Sequence, residues 1–155
     1  MNHSNFKIYG ASAGSGKTYA LAKAYLKLLL SNDSPVSFRQ ILAITFTNKA
    51  VDEMKTRILE NLYNFGKHPL PEKQEPLFKE LCQELSLTED QLRQRAKLIL
   101  KRILHNYSFF EVSTIDKFNH KLIKTFARDL RLSQNFEVEL DTDLLLEEAV
   151  GRLLE

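Results

Sequence analysis

The stretch Ala11-Ser12-Ala13-Gly14-Ser15-Gly16-Lys17-Thr18 constrains this chain more than any other. It follows a short β-prone run, Phe6 to Tyr9, and opens a helical pattern. Small residues and glycines at such a junction let several backbone N–H groups converge on phosphate oxygens, because no bulky side chain blocks the approach. Lys17 supplies a point charge for the terminal phosphates and Thr18 a hydroxyl for a magnesium ion. The start of the helix adds its own positive partial charge. The pattern GxxxxGK(S/T) is met except at its first position, where Ala11 stands, and alanine is small enough for that role. Strand, loop, lysine, hydroxyl and helix fall in order, which separates this stretch from a glycine-rich turn that merely begins a helix. The expected phosphate site is therefore Ala11, Ser12, Ala13, Gly14, Ser15, Gly16, Lys17 and Thr18, with a nucleotide's phosphates and magnesium as its occupants.

The rest of the chain reads as alternating strands and helices. Leu21, Ala24, Tyr25, Leu28 and Leu29 recur at helical spacing while Lys23 and Lys27 fall off that stripe, so a helix is expected from Lys17 to about Leu30, lying on the sheet. Ser31 to Pro35 is turn chemistry. Ile41 to Phe46 is a nearly continuous apolar run of strand length, as expected of a parallel strand covered on both faces. Thr47-Asn48 can cap the next helix, whose core stripe is Val51, Met54, Ile58, Leu62 and Phe65, with Glu53 and Arg57 spaced for an ion pair. Gly66 to Pro76 is a breaker-rich linker. Leu77–Leu85 and Gln91–Leu104 read as helices, the second announced by a capping box from Thr88 to Gln91. Its basic residues, Arg93, Arg95, Lys97, Lys101 and Arg102, read as a solvated face. Phe109 to Ile115 is expected to be a third strand, followed by a helix with Phe118, Leu122, Ile123 and Phe126 inward. Asp129 to Gln134 is loop, Phe136 to Leu140 a further short strand, and Asp141-Thr142 the cap of a last helix. The alternation predicts an α/β fold with a parallel sheet, and a ligand at the carboxyl ends of its strands.

Composition narrows the remaining classes. The chain has 155 residues, 43% of them hydrophobic, which is the size of one domain with a real core. A net charge of +2 requires no polyanionic partner, so any nucleic-acid surface must be local. A single cysteine, Cys82, permits no internal disulfide and no cysteine-built metal site, and reads as an inert helix residue. There is no signal-peptide profile and no apolar run of about 20 residues, so a soluble cytoplasmic protein away from the membrane is expected. His3, His68, His105 and His120 are scattered and form no metal or nucleophile signature. No GxSxG elbow is present. A nucleotide hydrolase also needs an acid at a strand end for magnesium. Glu111, Asp141 and Glu147-Glu148 are the candidates, and none has the required setting.

Two further stretches sit where strands give way to helices: Thr45-Phe46-Thr47-Asn48-Lys49-Ala50 and Ser113-Thr114-Ile115-Asp116-Lys117-Phe118. Hydroxyls, an amide, a lysine and a ring on that rim suit single-stranded nucleic acid. Spacing alone favours a core Phe46 with Thr47 or Asn48 capping a helix, and the second stretch alone reads as a capped helix start.

Taken together, residues 11–18, Ile41 to Met54 and Val112 to Phe118 resemble motifs I, Ia and Ib of the UvrD/Rep family of superfamily 1 DNA helicases. The phosphate loop and a helical insertion at about 67–106 are most similar to the RecB/AddA branch, the exonuclease V type helicase subunits of bacterial recombination. The resemblance implies a RecA-like motor domain in which ATP turnover drives translocation on single-stranded DNA. Carried over by motif position, Lys17 binds the β and γ phosphates and Thr18 the magnesium. Thr45, Phe46, Thr47 and Asn48 touch the DNA strand, Phe46 nearest a base, and Thr114 and Phe118 lie beside the same track. Asp116 stands where the family usually has histidine and is assigned no DNA contact. No adenine-reading glutamine motif precedes the first strand, and motifs II to VI are absent. The resemblance thus implies the N-terminal part of a longer helicase, inactive by itself, with a further helical subdomain from about residue 141. It also implies a nuclease partner subunit or nuclease domain and a role in double-strand break repair. A nucleotide or small-molecule kinase is the alternative that a phosphate loop leaves open.

Overall fold

Helix α1, Lys17–Ser31, is followed by a 3-10 turn at Ser37–Gln40, strand β1 at Ala43–Thr45 and helix α2 at Asn48–Phe65. A second 3-10 turn, Glu72–Gln74, leads into α3, Glu75–Leu85, and α4, Glu89–His105. A third, Tyr107–Phe109, precedes strand β2 at Val112–Thr114 and helix α5 at Ile115–Phe126. This computed structural model describes residues 16–132, 146 and 149–152, and the chain divides into two units, Met1–Thr114 and Ile115–Glu155. The strand expected at Phe6–Tyr9, the loop residues Ala11 to Ser15, the strand at Phe136–Leu140 and the cap at Asp141-Thr142 lie outside the described residues.

Helix α2 is the axis of the first unit. Its apolar residues recur every three or four positions, and Val51, Met54, Ile58, Leu62 and Phe65 are all buried, as the spacing predicts. This face packs against α1 and α4 and reaches both strands. Fully burying each such side chain is worth about 1.5–3 kcal/mol, so the stripe is a large part of what holds the unit together. Thr47 starts the helix: its Oγ1 accepts the Ala50 amide at 3.2 Å. That bond satisfies one of the orphan donors of the first turn. Glu53 and Arg57 are both exposed and form no ion pair with each other; the Arg57 carbonyl instead accepts the Asn61 side-chain amide at 2.7 Å.

Helix α1 is rotated from the expected stripe. Ala22, Tyr25, Leu26, Leu29 and Leu30 are buried, whereas Leu21 and Leu28 are exposed. Three consecutive leucines at 28–30 leave the face undecided by periodicity, and among the described residues the main neighbours of α1 are the helices α2, α3 and α4. Lys23 bonds Glu80 and lies 3.2 Å from Glu84, and Lys27 lies 2.5 Å from Glu84, so the two lysines face α3. Asn32 ends the helix in an Asx turn, its Oδ1 accepting the Ser34 amide at 2.8 Å.

The two helices between α2 and β2 start on well-defined signals. Pro76 lies in the first turn of α3 rather than in the linker, because a missing N–H costs nothing where no intrahelical acceptor exists. The capping box of α4 is complete: Thr88 Oγ1 accepts the Gln91 amide at 3.2 Å and Gln91 Oε1 accepts the Thr88 amide at 2.9 Å. Leu92, Ala96, Ile99 and Ile103 of α4 are buried, and Phe65 meets Phe78 of α3 edge to face at 5.3 Å. Cys82 is half-buried in α3, and burial pushes its thiol above the ordinary range.

The strands are shorter than their apolar runs. β1 and β2 pair in parallel with Ala43 opposite Val112, Ile44 opposite Ser113 and Thr45 opposite Thr114. β1 is not covered on both faces: Ala43 is buried, but Ile44 and the flanking Leu42 and Phe46 are exposed. A continuous apolar run signals two covering layers, and among the described residues only one is present. In the second unit α5 has an apolar stripe, yet none of its residues is buried; Leu122, Ile123 and Phe126 are exposed and Phe118 is half-buried, contrary to the inward placement expected. The layer that would bury that stripe is not part of its own unit among the described residues.

Candidate functional site

Gly16 stands directly before the first residue of α1 with φ 80° and ψ 19°, in the left-handed region. A Cβ built there would meet nothing within 4 Å, so the demand for glycine comes from the backbone angle and not from crowding. Its carbonyl accepts the Ala20 amide at 2.9 Å and begins the helical ladder. No side chain caps the first turn of α1 and no acidic residue lies in it. Among the described residues no side chain takes the first amides of this 15-residue helix, and its first turn holds no carboxylate to repel an anion. Lys17 and Thr18 are the first two residues of the helix.

The parallel register brings the other two motifs to one edge. Thr45 and Thr114 are the last residues of their strands and lie opposite one another. Both strands therefore leave the sheet at its carboxyl end, about 4.8 Å apart, the ordinary spacing of paired strands. Thr45 Oγ1 donates to the Thr47 carbonyl at 3.2 Å and pins the bend. The bend throws Phe46 outward, where it is 83% exposed. A core role for Phe46 is thereby removed, while the capping role of Thr47 stands beside any other that it has. Asn48 is the first residue of α2 and is exposed. Thr114 is buried, and the Ser113 hydroxyl donates to its carbonyl at 3.2 Å. Phe118 belongs to the second unit, in the first turns of α5.

An open groove of about 930 Å³ lies between the start of α1, the outer face of α2 and the start of α3, and residue spacing holds no sign of it. Tyr19, next after Thr18, and Lys49, next after Asn48, both line it. Asp52, Glu53, Thr56 and Arg57 line it as well, residues that periodicity marks only as the polar side of a helix. Among the described residues no group of three His, Cys, Asp or Glu is placed to hold a metal ion. No helix among them is long and apolar enough to cross a membrane.

These elements define a mixed α/β protein with a small parallel sheet whose strands end at Thr45 and Thr114. The chain belongs to the UvrD/REP helicase family: the family described as UvrD/REP helicase N-terminal domain matches residues 2–154. It is similar to the A subunit of the ATP-dependent helicase/nuclease of Bacillus cytotoxicus, 29% identical over 155 residues, which is 99% of this chain and 10% of that protein. The Bacillus cereus protein of the same name is 29% identical over 150 residues, 96% of this chain and 10% of its own length. The chain therefore spans about a tenth of the curated relatives it matches. No solved structure matches it.

Proposed function

We propose that this chain is the N-terminal part of the ATP-binding domain of a DNA helicase that translocates on single-stranded DNA. The observation that carries the reading is the shared edge: Thr45 and Thr114 end adjacent parallel strands, and Phe46 stands out from that edge into solvent. A ring so exposed at the carboxyl rim of a parallel sheet stabilises nothing in the core, but it offers a face on which a base can stack. Thr45, Thr47 and Asn48 supply polar groups along the same rim, and motif position, as the family resemblance carries it over, adds Thr114 and Phe118 to the residues assigned to DNA. The left-handed Gly16 and uncapped first turn of α1 fit a triphosphate held by residues 11–18. Lys17 contacts the β and γ phosphates, and Thr18 with the nucleotide's own oxygens holds magnesium. A magnesium ion held there would supply positive charge against the charge that develops on the phosphates.

In this reading the sheet is one part of a RecA-like motor domain, α3 and α4 form its helical insertion at about 67–106, and a further helical subdomain begins at about residue 141. The relatives are named as subunits of a helicase/nuclease, which supports a partner or further domain with nuclease activity and a role in recombination and double-strand break repair. Such work on DNA fits a place in the cytoplasm.

The test is ATP hydrolysis by the full-length protein, with and without single-stranded DNA, beside its Lys17→Ala variant. Hydrolysis that rises severalfold with DNA and vanishes in the variant is expected. Phosphate transfer to a small acceptor without DNA would instead mark a kinase and end the helicase reading.

A further inference from the structure

A second groove, of about 330 Å³, lies between the end of α2 and the last turns of α4. Leu62, Leu100 and Leu104 form its floor, Tyr63 one wall, and Lys67, Lys97 and Lys101 its rim. Leu104 and Tyr63 are each 58% exposed. The wall is built closely: a Cβ on Gly66 would lie 2.9 Å from the Lys97 Cγ, so the lysine stem runs along the backbone there. The Lys67 ammonium sits 4.2 Å from the centre of the Tyr63 ring.

Cations elsewhere in the unit are mixed, some paired with carboxylates and some not. Lys23, Lys27, Lys79 and Arg95 each meet a carboxylate. Lys67, Lys97 and Lys101 meet none among the described residues, and no acidic side chain lines the groove. A cluster of unmatched cations calls for an anionic partner. A nucleic-acid backbone would satisfy the charge but leave the leucine floor wet, and the one aromatic face is already covered by Lys67. The partner that matches both features is a protein segment with apolar side chains at helical spacing flanked by carboxylates. We propose that the α2–α4 groove, floored by Leu62, Leu100 and Leu104 and rimmed by Lys67, Lys97 and Lys101, is a docking site for an acidic amphipathic helix of a partner protein.

The test is fluorescence anisotropy of the full-length protein titrated into a fluorescein-labelled synthetic peptide. The peptide carries leucine at i, i+3, i+4 and i+7 and glutamate at the remaining positions. Binding is expected, weakened about tenfold or more by the double variant Lys97→Glu, Lys101→Glu, since paired charge reversals act on both attraction and repulsion. Leu104→Ala should weaken it similarly without altering charge, and a peptide with lysine in place of glutamate should not bind. All three positions are exposed, so circular dichroism should show unchanged helix content in each variant. No binding, equal binding of the basic peptide, or undiminished affinity in the double variant overturns the proposal. So does displacement of the peptide by duplex DNA, or self-association of the chain lost with Leu104→Ala.

Discussion

Replacing Phe46 by alanine separates a ligand-facing ring from a structural one, because the two roles predict opposite outcomes in two measurements. At 83% exposure the ring contributes almost no buried area. Phe46→Ala should therefore behave as a surface substitution, within about 0.5 kcal/mol of the parent. For a domain of this size that is a shift in Tm of about 2 °C or less. A base stacked on the ring is worth about 1–3 kcal/mol, so the same substitution should weaken single-stranded DNA binding roughly 5- to 150-fold. Phe46→Trp, which keeps a π face, should retain most of the affinity, and Phe46→Leu, which keeps only apolar bulk, should not. The assay is anisotropy of a labelled oligothymidylate with the full-length protein, paired with thermal unfolding of each variant. Ile58, on the fully buried face of α2, provides the reference. Ile58→Ala should cost about 2–5 kcal/mol and lower Tm by many degrees. An unchanged DNA affinity in Phe46→Ala, or a Tm loss like that of Ile58→Ala, would refute the reasoning.

Three other substitutions test the framework around the site. The Tyr25 hydroxyl is buried with no hydrogen-bond partner among the described residues. Tyr25→Phe should thus be neutral or stabilising by about 1 kcal/mol in urea unfolding. Burial first, and Glu111 second, raise the Tyr25 pKa well above the tyrosine range. The folded state resists an ionisation that the unfolded chain undergoes at about pH 10, and stability should fall as pH rises past that point, less steeply in Tyr25→Phe. Thr88 supplies the hydroxyl of the α4 capping box. Thr88→Ala should cost about 1 kcal/mol, read from the urea midpoint. Lys27 first, then Lys23, holds the Glu84 carboxyl below the ordinary carboxylate range. Its contribution is present above about pH 4.3 and is lost as pH falls, so Glu84→Gln should flatten the acid limb of a stability profile.

The residue order alone settled whatever is decided within a few neighbouring positions. The stripe of α2, the Thr47 cap, the Thr88–Gln91 box and the strand character of two apolar runs are all written in spacing, because each depends on contacts three or four residues apart or on a run's length. The left-handed turn at Gly16 is local as well. Tertiary structure decided what depends on which layers are present. It rotated α1 so that Lys23 and Lys27 meet α3, since three adjacent leucines fit more than one face. It left Ile44 and Phe46 in solvent although their run reads as a covered strand, because burial is a property of neighbours that sequence does not name. It set Thr45 beside Thr114 and opened the cleft shared by Tyr19 and Lys49, since strand register and helix packing join residues far apart along the chain.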